Sequence, residues 1–153
     1  MTISIEYASP RHPEIRNLLL ASHDLMGSLF PAEAKHFLSI DALCDATIHF
    51  FGVRVDGVYR ACGALAVQKG YGELKSIFTD PAARGRGLGQ TIIQHIEGTA
   101  RDLGLAQLKL ETGSLLHSAH RLYEREGFAL CDPFGEYEPT EFSVFMSKDL
   151  TKV

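Results

Sequence analysis

The stretch "TDPAARGRGLGQTIIQHIE", residues 79–97, sets three glycines and two arginines directly ahead of an amphipathic helix. Leu88, Ile92, Ile96, Ala100 and Leu103 recur on one face of that helix, Gln90, Gln94, Glu97 and Arg101 on the other, and Gly104 is a natural stop. A helix that starts on glycine leaves its first amides bare, and the helix dipole adds roughly half a positive charge at the same spot. Gly85, Gly87 and Gly89 remove the Cβ atoms that would hold an anion off the backbone, and Arg84 and Arg86 add charge at the rim. Leu88 and Gln90 complete a cradle sized for a diphosphate. A simple turn is the structural alternative. The dinucleotide fingerprint fits poorly, because its third glycine falls on Gln90, and a P-loop fails for want of Gly-Lys-Ser/Thr.

Outward from this stretch, the chain alternates between the two periodicities. "TISIEYA" alternates as a strand, and "HPEIRNLLLASHDLMGSLF" and "PAEAKHFLSIDAL" read as two helices parted near Gly27 and Pro31. Two apolar runs flank Asp56-Gly57, a hairpin signal, and "GELKSIFTD" supplies the next strand. After the glycine-led helix come the strand "AQLKLET", the helix "SLLHSAHRLYERE" stopped by Gly127, and the strand "EFSVFMSKDL". The expected order is β, α, α, β, β, β, α, β, α, β. Such an order belongs to a single α/β domain with a largely antiparallel first half.

Composition agrees. The 153 residues suffice for one domain over residues 1–153, and 45% hydrophobic with 22% charged residues is the balance of a soluble globular chain. No run approaches a membrane span and the N-terminus lacks a signal-peptide pattern, so a cytoplasmic setting is expected. Net charge of −4 disfavours a nucleic-acid partner. Three scattered cysteines and seven histidines form neither CxxC nor HExxH, so no metal is expected.

"SIFTDPAARGRGLG", followed about thirty residues later by "AHRLYEREGF", resembles the Gcn5-related N-acetyltransferases (GNAT family). The signature Arg/Gln-x-x-Gly-x-Gly/Ala is met by Arg84, Gly87 and Gly89, and the helix-end motif by Ala119, Leu122, Tyr123, Gly127 and Phe128. "GYGELK", "LETG" and "PFGEYEP...SVFM" are further similar to an uncharacterised bacterial branch that acts on small molecules. The resemblance implies a mostly antiparallel sheet with helices on both faces and a central strand pair splayed apart. It implies acetyl-CoA as co-substrate, its pantetheine arm on the backbone of Ile77, Phe78 and Thr79 and its pyrophosphate over Arg84 to Gly89. It also gives the amide of Phe78 the oxyanion and Tyr123 the departing thiolate, although by periodicity Tyr123 is equally a core residue beside Leu116 and Ala119. One position departs from the family: Leu116 stands where many relatives hold the cofactor arm with Asn.

The general base stays open at this level. Glu73 is favoured because the resemblance implies a carboxylate at the start of this strand, with Glu111, His117 and His120 as rivals. Phe30, Glu111, Glu136 and Tyr137 are expected near the acceptor, and the acidic loop "CDPFGEYEPTE" either lines its mouth or is merely solvated. A small-molecule amine is the leading acceptor. A protein lysine or N-terminal amine is one alternative, and a non-catalytic acyl-CoA sensor another. Family members often pair, so a homodimer is expected.

Overall fold

A computed structural model describes residues 1–31 and 38–151. Seven strands form one sheet: β1 (Ile3–Tyr7), β2 (Ile48–Val55), β3 (Val58–Val67), β4 (Gly72–Thr79), β5 (Gln107–Gly113), β6 (Ala129–Leu130) and β7 (Ser143–Asp149). Their spatial order is β1-β2-β3-β4-β5-β7-β6, and only β4 and β5 run parallel. Helices α1 (Pro13–Leu29) and α2 (Ile40–Leu43) cover one face; α3 (Leu88–Asp102) and α4 (His117–Arg125) cover the other. This is the expected architecture. The second expected helix, over 31–43, falls largely on 32–37, outside the described residues, and α2 is its described end. Two-residue β6 carries no periodic signal and was not expected.

Two cores follow from the two faces. Ile92, Ile93, Ile96 and Ala100 of α3 are buried against Phe51, Val53, Leu65, Leu108 and Leu110 of the sheet. Ile15, Leu18 and Leu19 of α1 meet Phe50, Cys62, Ala64 and Phe78 on the opposite face. Burying each such side chain contributes about 1.5–3 kcal/mol, which makes the stripes of α1 and α3 the main reason these segments are helical in place.

The sheet is irregular at one spot, and that spot positions the site. The β3–β4 register steps from Cys62↔Phe78 to Ala64↔Lys75, so one residue of β3, Gly63, faces two of β4. Within this bulge Ser76 takes a φ of 57°, the left-handed region that non-glycine residues seldom enter. One extra residue inverts the strand's alternation. Leu74 and Ile77 therefore pack on the α3 side, and Phe78, four residues beyond Leu74, points to α1. Gly63 makes room for this: a Cβ there would come within 2.5 Å of Ile92 and 2.6 Å of Ile77.

Cys62, fully buried beside the bulge, directs its thiol to the Ser76 carbonyl at 3.5 Å. Burial pushes that thiol up to about 12. The fold thus favours the protonated thiol; its contribution is complete below about pH 9 and is lost as pH rises toward the folded value, with a slope of up to ~1.4 kcal/mol per pH unit. Urea denaturation at graded pH should show stability falling between about pH 9 and 10, before buried tyrosines contribute. In Cys62→Ala that decline should flatten.

Candidate active site

β4 and β5 are paired over two positions only, Gly72↔Leu108 and Glu73↔Lys109. Beyond them the strands part, and the gap opens into a cleft of about 1060 Å³ lined by β4 from Leu74 to Thr79 and by Glu111, Thr112 and Gly113 of β5. Across the α3 end lies the glycine loop, with Arg84, Gly85, Gly87, Leu88, Gly89 and Gln90 on its wall. At the other end are Ser22, Leu25 and Met26 of α1.

The loop is shaped by local chemistry. Asp80 caps a 3-10 turn at Pro81–Ala83 by accepting from the Ala82 amide at 3.0 Å. Gly85 and Gly87 then take φ of 82° and 73°, conformations that cost any side chain. Gly87 begins α3 in the left-handed region with no side-chain cap, so the first-turn amides keep their donors for a ligand. Arg84 and Arg86 are exposed and form no ion pair among the described residues. A Cβ on Gly89 would lie 2.7 Å from Leu122, so this glycine also sets the approach of α3 to α4. The loop's far side is tied down by Glu126, whose carboxylate accepts from Gln90 at 3.1 Å and Gln94 at 3.0 Å.

Tyr123 lines the cleft from α4. Its ring is buried against Phe128, yet its hydroxyl has no hydrogen-bond partner among the described residues. Burial, and then the nearby charge of Glu111, hold its phenol well above the ordinary tyrosine range. Tyr123 is thus both core and cleft wall, and it stays protonated at any physiological pH.

Backbone direction bears on the oxyanion. The Asp80 amide donates to the Arg60 carbonyl of β3. Strand residues alternate sides, so the amide of Phe78 also faces β3, while those of Ile77 and Thr79 face the cleft. The resemblance assigns the oxyanion to Phe78; the bulge turns that amide away, and Phe78 serves the α1 core instead.

The carboxylates separate in the same manner. Glu73 and Lys75 share the α1 side of β4, with side chains only 7% and 10% exposed. Tyr137 donates to Glu73 at 2.5 Å and accepts from Lys75 at 2.8 Å, with the two charges 3.4 Å apart. Burial and the adjacent Glu73 carboxylate raise the Tyr137 phenol far above its ordinary value. Glu73 is thereby committed to its partners and is not on the cleft wall. Glu111 is on the wall, accepting from Ser143 at 3.1 Å.

His117 also borders the cleft, whereas the His120 ring donates to the Gly113 carbonyl at 2.8 Å. Phe30 is buried over Gly113 and Glu136 is exposed on its loop; neither lines the cleft. Sequence reasoning missed Lys75 and the α1 residues Ser22, Leu25 and Met26, because only the fold brings them to the gap. Among the described residues no three potential metal ligands cluster, and no helix is long and apolar enough to cross a membrane.

An uncapped helix start, a splayed parallel strand pair and a buried tyrosine facing the gap together describe an acyl-CoA-dependent transferase. The acetyltransferase (GNAT) family matches residues 13–128. IAA acetyltransferase of Azospirillum brasilense is 38% identical over 150 residues, 97% of this chain and 98% of that protein. A crystal structure of a candidate acyl-CoA N-acyltransferase from Klebsiella pneumoniae superposes with a TM-score of 0.82 at 30% identity, covering 97% of this chain and 98% of that one. PaiA N-acetyltransferase of Thermoplasma acidophilum, solved with coenzyme A, shares the fold at 16% identity and a TM-score of 0.76, covering 97% and 99%. The chain belongs to the GNAT family. It is an acetyl-CoA-dependent N-acetyltransferase.

Tyr137→Phe tests the buried triad. It deletes the donor to Glu73 and should cost about 1.5–3 kcal/mol of unfolding free energy, read by urea denaturation at neutral pH.

Proposed function

We propose that this chain acetylates the amine of a small-molecule acceptor by direct attack on the acetyl-CoA thioester. The carrying observation is the continuity of one cleft from the bare amides of α3, past Tyr123, to Ser22, Leu25 and Met26 of α1. A cleft bounded by residues from both strands and α1 suits a small molecule better than a flat surface would.

In this reading the pyrophosphate lies on the amides of Gly87 to Gln90 with Arg84 and Arg86 beside it, where charge and dipole act together. The pantetheine arm follows the cleft-facing backbone of Ile77 and Thr79 in place of the missing β5 ladder. With Leu116 where relatives offer an amide side chain, that backbone carries the arm's polar contacts. Glu111 takes the proton from the amine. The nitrogen then bonds to the thioester carbon, and the Ile77 amide, turned into the gap by the bulge, donates to the developing oxyanion. On collapse the C–S bond breaks and Tyr123, which burial keeps protonated, hydrogen-bonds to the departing thiolate and passes its proton to it as the thiol leaves. Products are the N-acetylated amine and coenzyme A.

Thiol release over a panel of small amines tests the whole reading; absence of coenzyme A release from every amine overturns it. Within that assay, Tyr123→Phe should lower kcat about 10²- to 10⁴-fold, and the wild-type rate should show no alkaline decline from phenol ionisation below about pH 10. Glu111→Gln should lower kcat/KM by about 10²-fold or more, while Glu73→Gln, behind the cleft wall and bonded to Tyr137 and Lys75, should act mainly on stability. The reverse order of effects would return the base to Glu73.

A further inference from the structure

The last turn of α4 stands beside the glycine loop. Leu122 packs where a Cβ on Gly89 would lie, 2.7 Å away, and the Glu126 carboxylate accepts from Gln90 and Gln94 of α3. Between Leu122 and Glu126 in the chain, Arg125 is exposed and lines the cleft. Its guanidinium forms no hydrogen bond or ion pair among the described residues. Arg11, Arg54, Arg60 and Arg101 each pair with a carboxylate. The helix dipole favours a cation in a last turn, which explains the charge of Arg125 but not its place on a cleft wall.

The turn that carries Arg125 is held firmly. The Glu126 amide donates to the Leu122 and Tyr123 carbonyls at 3.1 Å, and Lys148 of β7 donates to the Glu126 carbonyl at 2.7 Å. The Glu126 carboxylate is engaged by the two glutamines of α3. The wall at this end of the cleft therefore bears two uncommitted guanidinium groups, Arg84 from the loop and Arg125 from α4. Arg86 is exposed off that wall.

Acetyl-CoA brings more anionic charge than its pyrophosphate. A phosphomonoester on the ribose 3′ carbon carries roughly −2 at neutral pH and offers three strong acceptor oxygens. With the pyrophosphate on the first-turn amides of α3 and the pantetheine arm in the gap along β4, the adenosine half leaves the cradle on its outer side. The last turn of α4 stands there beside the loop, and the 3′-phosphate is attached to the same ribose as the pyrophosphate. We infer that Arg125 recognises the 3′-phosphate of the donor and so distinguishes coenzyme A from its dephospho form, an assignment that rests on the pyrophosphate seat proposed above. A guanidinium fork matches phosphate oxygens in pairs. Arg84 and the helix amides hold the charge common to both forms, and Arg125 holds the charge that only one of them has.

Calorimetric titration with coenzyme A and with 3′-dephospho-coenzyme A at low ionic strength tests this. Wild-type protein should bind coenzyme A at least about fivefold more tightly, as expected of one charge-assisted contact at an exposed site, and added salt should erode the ratio. Arg125→Gln should bring the ratio toward one by weakening coenzyme A alone. Arg84→Gln should weaken both forms and keep the ratio. Both side chains are exposed, so neither substitution disturbs the core. Equal wild-type affinity for the two forms overturns the assignment and leaves the pyrophosphate seat standing. A ratio that survives Arg125→Gln overturns it as well, and so does an equal loss for both forms, which would move Arg125 to the pyrophosphate. Binding of neither form by wild-type protein overturns the seat and the assignment together.

Discussion

The structure depends on a sheet that stops pairing. After Gly72 and Glu73 the parallel ladder between β4 and β5 ends, although both strands continue for several residues. A strand edge inside a protein leaves amides and carbonyls without partners, a cost the fold sustains only where something else can bond to them. Acetyl-CoA, an extended chain with amides of its own, is suited to that edge. The neighbouring bulge at Ser76 belongs to the same arrangement. It holds one residue at an unfavourable φ, and strain of this kind persists where the surroundings over-determine it, here through Gly63, Ile77 and the buried Cys62.

Around this gap, electrostatics is arranged by depth. The arginines at the glycine loop are exposed, where they attract anions at long range and bind them modestly. The Glu73, Lys75 and Tyr137 group is buried, where each charge must be paired, and Tyr137 bonds to both partners. Tyr123 lies between these regimes, packed in the core while lining the gap. A hydroxyl so placed keeps its proton at neutral pH and offers it as a hydrogen bond to negative charge that develops in the gap.

Much of this was legible in the chain itself. The α3 helix, the glycines ahead of it and the tyrosine near the end of α4 depend on local spacing, and local spacing is what a sequence displays. What escaped depends on parity and on partings between strands. One extra residue at Ser76 swaps the faces of everything after it, so Phe78, whose amide the motif points to, faces β3. Glu73 and Glu111 look equivalent as strand carboxylates, and only the end of the ladder between them puts one behind the cleft and the other on its wall. Phe30 and Glu136 were drawn to the site by chain proximity to the right loops, yet one is core and the other solvated. Residues 31–43 carry helical spacing, but 32–37 lie outside the described residues, and of the remainder Ile40–Leu43 form the short helix α2.

Phe30 has a broader consequence. Its ring sits over Gly113 on β5, so closely that a Cβ there would come within 2.4 Å, while the body of α1 packs through Ile15 and Leu19 beside Phe78 of β4. The helix is thus a tie beam across the parting, anchored on both banks and set on the face opposite Tyr123. The width of the slot is held by framework rather than by a movable side chain. Strand spacing at the cleft is thereby tied to the packing of a single helix, so a substitution at either end of α1 is transmitted to the distance between the two banks.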